Sequence, residues 1–314
     1  AMCVGLVETS KIATAAANSS GHLVLLAGAE TGRDGIHGAS GLASRSLEDN
    51  TELLPTVQVG NPFLEKVLIE ACLEAVETGK VLAMQDLGAA GLTSTVVESV
   101  ARGGSGAKLD VEKVPRRESH MTPYEVMLSE SQERMLLVIE PKNESILRKV
   151  FNKWELDNTI IGEVTDDGLI SIFDGDELVG CVPIKILSEP PLYRIEGKEP
   201  SYFQETRLLD FGISDLSSHT PKEVLLKLLS WPDIARKQWI FRQYDHQVQT
   251  NTLEGPGADA AVLRLKGTGS AIAVTCDGNG RLCYLDPYVG GSIAVAEACR
   301  NLSSVGADPV AITD

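Results

Sequence analysis

Residues 22–28 form a short apolar run between glycines, and such a run predicts a buried strand. A glycine-rich loop follows it. From Asn61 the spacing becomes helical: Asn61 can N-cap, Pro62 suits the first helical position, and Leu64, Val67, Leu68, Ala71, Cys72 and Ala75 share one face, with Gly79 just past the end. Residues 81–84 predict a strand that delivers Gln85 and Asp86 at its C-terminal end, and a helix of small residues runs from about Leu92 to Gly103-Gly104. Further strands are expected at 135–139 and 169–173, with a helix over 144–154. The first 110 residues thus read strand, loop, helix, strand, loop, helix, and the alternation that continues beyond them indicates an α/β unit with a mixed sheet.

The pattern changes at Glu189-Pro190-Pro191. A linker is expected over 190–205, separating a unit at 1–189 from a second at 206–314. In the second unit Thr220-Pro221-Lys222-Glu223 matches a capping box opening a helix to about Leu229. Residues 258–265 and 270–276 predict an antiparallel strand pair joined through Lys266-Gly267-Thr268-Gly269. A small-residue helix is expected from Ser292 to about Ser304, ending at Gly306 and leading to a terminal strand at 310–314. The sequence shows no internal repeat and no low-complexity stretch.

Composition narrows the function. With 314 residues, 43% of them hydrophobic and 23% charged, the chain can bury two cores and is not disordered. A net charge of −16 excludes a nucleic-acid partner, because that grip depends on Lys and Arg displacing counterions from phosphates. No apolar run approaches the roughly 18 residues that a membrane-spanning helix needs, and the N-terminus lacks the order of a signal peptide. The scattered cysteines (Cys3, Cys72, Cys181, Cys276, Cys283, Cys299) form no C-x-x-C pair, which indicates reduced thiols and a cytoplasmic setting. Ala1 to Gly5 read like a strand entered midway, and the last strand stops at Asp314 where a ligand loop would begin, so both ends are expected to be cuts in a longer chain.

Four segments carry candidate chemistry. Gly32-Arg33-Asp34-Gly35-Ile36-His37-Gly38-Ala39-Ser40 packs glycines, a cation, a carboxylate and an imidazole into one loop; it suits an anion or an interface, or a tight turn with a structural Arg–Asp pair. Asp86, before Leu87-Gly88-Ala89-Ala90-Gly91, is placed either to meet Mg²⁺ or to cap the next helix. Ser129-Glu130-Ser131-Gln132 is either a hydrogen-bonding platform for a polar substrate or a solvated turn. Asp286-Pro287-Tyr288-Val289-Gly290-Gly291 is either a phosphate-accepting helix N-terminus or an ordinary helix entry. Glu254 to Asp259 reads as turn chemistry, and His22, His120, His219 and His246 have no partner at catalytic spacing.

Taken in order, these segments, together with Ala29-Glu30-Thr31 ahead of the loop and Gln58-Val59-Gly60-Asn61-Pro62, resemble the small-type phosphoribosylformylglycinamidine synthases over nearly the whole chain. The resemblance implies the AIR-synthetase-like C-terminal domain of that family's first half, followed by part of the AIR-synthetase-like N-terminal domain of its second half. It implies an ATP-dependent carbon–nitrogen ligase: ATP phosphorylates the amide oxygen of formylglycinamide ribonucleotide, and ammonia then displaces phosphate to leave the amidine. It places Gln58, Glu130, Ser131 and Gln132 at the substrate, Asp86 on Mg²⁺ and Asp314 at the nucleotide. It also implies a glutaminase subunit supplying ammonia and a small accessory subunit. Gly41-Leu42 departs from the family, which usually has an aromatic residue there. The family's catalytic histidine segment and most of its ATP contacts have no counterpart here, so no catalytic residue is assigned and the chain alone is expected to be inactive. Aminoimidazole ribonucleotide synthetase, thiamine-phosphate kinase and selenophosphate synthetase share the architecture but are not expected to combine Glu130-Ser131-Gln132 with the loop at 32–40. A non-catalytic binding module is the alternative from another class.

Overall fold

The apolar run at 22–28 is β1 (Leu23–Gly28), inside a seven-stranded mixed sheet. In the computed structural model the described residues are 4–36, 38, 58–208 and 218–313. Val24 and Leu26 join one apolar cluster while Leu25 and Ala27 join another, because successive strand residues point to opposite faces. A strand covered on both faces has to be apolar throughout, and that is why its sequence shows a continuous run rather than alternation.

The chain divides into two compact units, Ala1–Tyr193 and Arg194–Asp314. In the first, β1 is followed by α1 (Pro62–Glu77), β2 (Val81–Asp86), α2 (Gly91–Gly103), β3 (Gly106–Asp110), α3 (Pro123–Leu128), β4 (Arg134–Ile139), α4 (Glu144–Lys153), β5 (Asp157–Thr165), β6 (Leu169–Asp174), β7 (Glu177–Pro183) and α5 (Ile184–Ser188). The sheet order is β2-β4-β1-β5-β3-β6-β7, antiparallel except for β3 beside β6. On one face α2 contributes Leu92, Val96 and Val100, α3 contributes Val126, and α5 contributes Ile184. On the other, α1 contributes Leu68, Ala71, Cys72 and Ala75, and α4 contributes Leu147, Val150 and Phe151. Asn61 caps α1 by accepting from Leu64 N–H at 3.2 Å, as its position before Pro62 predicts.

In the second unit the elements are α6 (Ser201–Arg207), α7 (Pro221–Leu229), α8 (Gln238–Phe241), β8 (Thr252–Glu254), β9 (Ala261–Arg264), β10 (Ala271–Val274), α9 (Gly280–Leu285) and α10 (Pro287–Ser304). The three strands form an antiparallel sheet in the order β10-β9-β8. Three expectations change. Helix α6 starts inside the span assigned to a linker, with residues 190–200 irregular before it. The last helix starts at Pro287 rather than Ser292, because the Asp286 carboxylate accepts Val289 N–H at 3.0 Å and fixes the helix entry there. Residues 310–313 form no strand; they lie exposed, without a ladder partner among the described residues.

Candidate functional site

Sheet register brings the candidate segments to one end of the first unit. β4 pairs with β1 so that Gly28 faces Arg134, and with β2 so that Asp86 faces Met135. The loop leaving β1, the loop leaving β2 and the turn entering β4 therefore meet. They meet through antiparallel neighbours in the sheet.

At the meeting point is a buried polar hub. Ser129, Glu130, Ser131 and Arg134 are each at most 2% exposed, so the turn at 129–132 is not a solvated one. The Arg134 guanidinium donates to Ser131 O at 2.8 Å, to Ser129 O at 2.6 Å and to Thr31 Oγ1 at 3.0 Å. The first two of these bonds satisfy main-chain oxygens that would otherwise be buried unpaired, at a cost of about 1–3 kcal/mol each. Burial pulls the Arg134 pKa down to about 10, with Asp34 acting against that and Arg117 adding to it. Ser131 Oγ accepts Gly32 N–H at 2.9 Å and also bonds Asp34, while Ser129 Oγ donates to Gly32 O at 2.6 Å. A Cβ on Gly32 would meet the Arg117 guanidinium, which pairs with Asp34, and would displace it.

Glu130 ties two further segments to this hub. Its Oε2 accepts Gln58 Nε2–H at 2.7 Å and its Oε1 accepts Ala90 N–H at 3.0 Å. Gln132 Nε2 donates back to Glu130 O at 2.8 Å. The loop between β2 and α2 reaches Glu130 by a tight turn in which Ala90 has φ 60° and Gly91 φ 53°; a Cβ on Gly91 would overlap the Ser129 carbonyl.

Arg33 corrects an expectation. It pairs not with Asp34 but with Glu125, Nε to Oε1 at 2.7 Å, and with Glu118, Nη1 to Oε2 at 3.0 Å, and it also donates to His120 O at 2.8 Å. Asp34 takes Arg117 instead. Hydrogen bonding from Arg33 is the main cause that draws the Glu125 carboxyl down to about 2, followed by the main-chain N–H of Thr122. Glu118 is held below its ordinary value first by Arg33 N–H and then by the guanidinium.

Of the predicted residues, Gln58, Glu130, Ser131 and Gln132 are brought together, and the hydroxyl of Ser131 is spent inside the hub. Asp86 lies exposed at the end of β2, and among the described residues its carboxylate has no hydrogen-bond or ion-pair partner. Asp86, Gln132 and Arg134 border a cavity of about 430 Å³ with Leu68, Cys72 and Met84 along it. Burial raises the Cys72 thiol to about 12, so it is an apolar wall and not a nucleophile. His37, Ala39, Ser40, Gly41, Leu42 and Asp314 lie outside the described residues. In the second unit the N-terminus of α10 is served by its own Asp286 carboxylate, which favours the ordinary helix entry. Arg134, Arg117, Glu118 and Glu125 were not singled out from the sequence. One signal was available: an arginine directly before the apolar residues 135–139 must find partners when that strand is buried.

The AIR synthase related protein C-terminal domain model matches residues 19–175, and the corresponding N-terminal domain model matches 257–314. The chain is 51% identical to the phosphoribosylformylglycinamidine synthase subunit PurL of Moorella thermoacetica and 53% identical to that of Thermomicrobium roseum, aligning over 100% of its own length and 43% of each. It thus spans less than half the length of these curated relatives. A structure of Thermotoga maritima PurL complexed with FGAR aligns with a TM-score of 0.79 at 35% identity, over 97% of this chain and 47% of that one. PurL of the same organism complexed with ATP aligns with a TM-score of 0.74 at 33% identity, over 97% and 45%. The mixed sheet and both domain matches agree: the chain belongs to the AIR synthase related protein family, with a C-terminal-type domain match followed by an N-terminal-type one.

Proposed function

We propose that this chain is a segment of a phosphoribosylformylglycinamidine synthase of the PurL type, and that the hub around Glu130 is the substrate-facing part of its active site. One observation carries the reading: a turn with Glu130 buried holds Gln58, Gln132 and the loop after Asp86 together, in a chain about half identical to PurL along its whole length. In the full-length protein, ATP would transfer its terminal phosphoryl group to the amide oxygen of formylglycinamide ribonucleotide. Ammonia would then attack that carbon, and phosphate would leave as the amidine forms.

The residues here would bind and orient. Gln58 and Gln132 present polar groups to the ribonucleotide, and Arg134 and Ser131 keep the turn rigid, which counts because held geometry lowers the barrier of a displacement. Among the described residues no three His, Cys, Asp or Glu side chains converge, so Asp86 would give Mg²⁺ a single carboxylate. That fits an ion which keeps several waters and takes its other oxygens from phosphates. When bound, Mg²⁺ would spread the charge of the transferring phosphoryl group. A glutaminase subunit and a small accessory subunit would complete the assembly in the cytoplasm, a reading supported by the likeness to a structure of PurLQS from Thermotoga maritima (TM-score 0.75, 32% identity). Among the described residues no helix is long and apolar enough to cross a membrane.

The test is an assay of the purified full-length protein with ATP, Mg²⁺, formylglycinamide ribonucleotide and ammonium ion, following ADP and the amidine product. Turnover is expected from the full-length protein, with Asp86→Asn raising the Mg²⁺ concentration it needs, and none from the 314-residue chain alone. A full-length protein that forms no amidine would overturn the reading.

A further inference from the structure

The two glutamines at the hub are oriented by the same residue. Gln58 Nε2 donates to the Glu130 carboxylate at 2.7 Å, and Gln132 Nε2 donates to the Glu130 main-chain oxygen at 2.8 Å. Both partners are acceptors only: a carboxylate has no proton to give, and a main-chain carbonyl never has one. A primary amide facing such a partner must turn its NH₂ toward it. Glu130 cannot yield, because it is 2% exposed and its other carboxylate oxygen is held by Ala90 N–H at 3.0 Å. Each amide carbonyl therefore points away from Glu130, beside the second N–H of its NH₂ group. Among the described residues neither Gln58 Oε1 nor Gln132 Oε1 has a partner, and Gln58 is exposed while Gln132 is half-buried, so both remain open to a ligand.

We infer that Glu130 is a positioning residue that locks Gln58 and Gln132 with their carbonyl oxygens outward, so that this part of the site recognises a hydrogen-bond donor of the substrate, an N–H or a hydroxyl. The inference rests on the proposed function, which supplies a ribonucleotide carrying both kinds of donor: amide N–H groups and ribose hydroxyls. It adds the polarity of recognition. An acceptor-only group such as a phosphate or a carboxylate gains nothing from the two outward carbonyls and can meet only the second N–H of each amide. Gln58 and Gln132 thus read the substrate, and Glu130 decides which half of each amide does the reading.

The test uses the full-length protein and isothermal titration with formylglycinamide ribonucleotide and analogues lacking one donor each: the 2′-deoxy and 3′-deoxy ribose forms, and forms with one amide N–H replaced by N-methyl. In the wild type, removal of the recognised donor is expected to weaken binding about tenfold, the worth of one hydrogen bond near 1.4 kcal/mol. Which analogue shows the loss identifies the donor as ribose or amide. Gln58→Leu, an exposed position that leaves Glu130 buried, is expected to abolish its share of that penalty. Glu130→Gln offers Gln58 both a donor and an acceptor, lets that amide turn, and is expected to shrink the penalty. A merely structural role for Glu130 would weaken the parent compound and its analogues equally and leave their ratio untouched.

Donor deletions whose cost is the same in wild type, Gln58→Leu and Glu130→Gln would overturn the inference while the functional reading stands. A wild type that binds none of these compounds would remove the functional reading, and this inference with it.

Discussion

The two units contain the same four-residue signal and use it differently. Thr122-Pro123-Tyr124-Glu125 opens α3 and Thr220-Pro221-Lys222-Glu223 opens α7, and both form complete capping boxes with matching geometry. In each, the glutamate N–H reaches the threonine hydroxyl at 3.3 Å and the glutamate carboxylate takes the threonine N–H at 2.8 Å. There the likeness ends. Helix α3 buries Val126 and Met127, and its Glu125 also receives Arg33 from a loop some ninety positions earlier in the chain. Helix α7 buries nothing, and among the described residues the hydrogen bonds on Glu223 come from Thr220 alone. Among the described residues of the second unit only Ala260 and Gly290 are buried. Local sequence makes a cap; only packing against distant segments turns a cap into part of a site.

The largest expected contrast is in the apolar faces. Phe151 in α4 is fully buried between sheet and helix, so Phe151→Ala is expected to cost about 3–5 kcal/mol, transfer and cavity combined. Leu226 in α7 is 57% exposed, and Leu226→Ala is expected to stay within about 0.5 kcal/mol. Urea denaturation of both variants decides the matter: similar losses would mean that the second unit buries its leucines in solution.

The sequence was legible wherever the signal was local or a strand was covered on both faces. Residues 22–28, Asn61-Pro62 and the helix closing at Gly104 folded as read, and the pair expected at 258–265 and 270–276 formed over the shorter spans 261–264 and 271–274, because caps, glycines and apolar runs act within a few residues. β5 and β7 were missed for the opposite reason. β5 mixes Asn158, Thr159, Gly162 and Glu163 into its run, and β7 is largely exposed, so neither shows a clean period. At the site, Gln58, Glu130 and Gln132 stood out as polar residues in conspicuous places. Arg134 and Arg117 did not, because their meaning comes from buried acceptors at Thr31, Asp34, Ser129 and Ser131, which adjacency in sequence does not reveal.

An acid titration sharpens the comparison of the caps. The Glu125 carboxyl sits at about 2 in the folded chain against 4.5 without its partners. Its contribution is therefore complete above about pH 4.5 and is lost as pH falls toward 2. Glu125→Gln is expected to cost about 1 kcal/mol at neutral pH and to flatten the stability profile over that window. Glu223→Gln should leave most of the wild-type acid loss in place, since no arginine holds Glu223 among the described residues. Chemical denaturation repeated from pH 6 to pH 2.5 makes the measurement, and equal flattening in both variants would break the distinction.

The smallest effect tests how the second unit holds its longest helix. Gly290 and Gly291 are consecutive in α10, yet a Cβ on Gly290 would strike the backbone of Cys283 in α9, whereas a Cβ on Gly291 meets nothing within 4 Å. With so little burial in this unit, the helix depends on backbone propensity more than on packing. Gly291→Ala is accordingly expected to stabilise α10 by about 0.5–1 kcal/mol, because alanine has fewer unfolded conformations to lose. Gly290→Ala is expected to destabilise by pushing α9 away. Amide hydrogen exchange along residues 287–304 separates the two: slower exchange in Gly291→Ala and faster exchange in Gly290→Ala support propensity with one close contact, and no change in either would mean that burial absent from the described residues carries the helix.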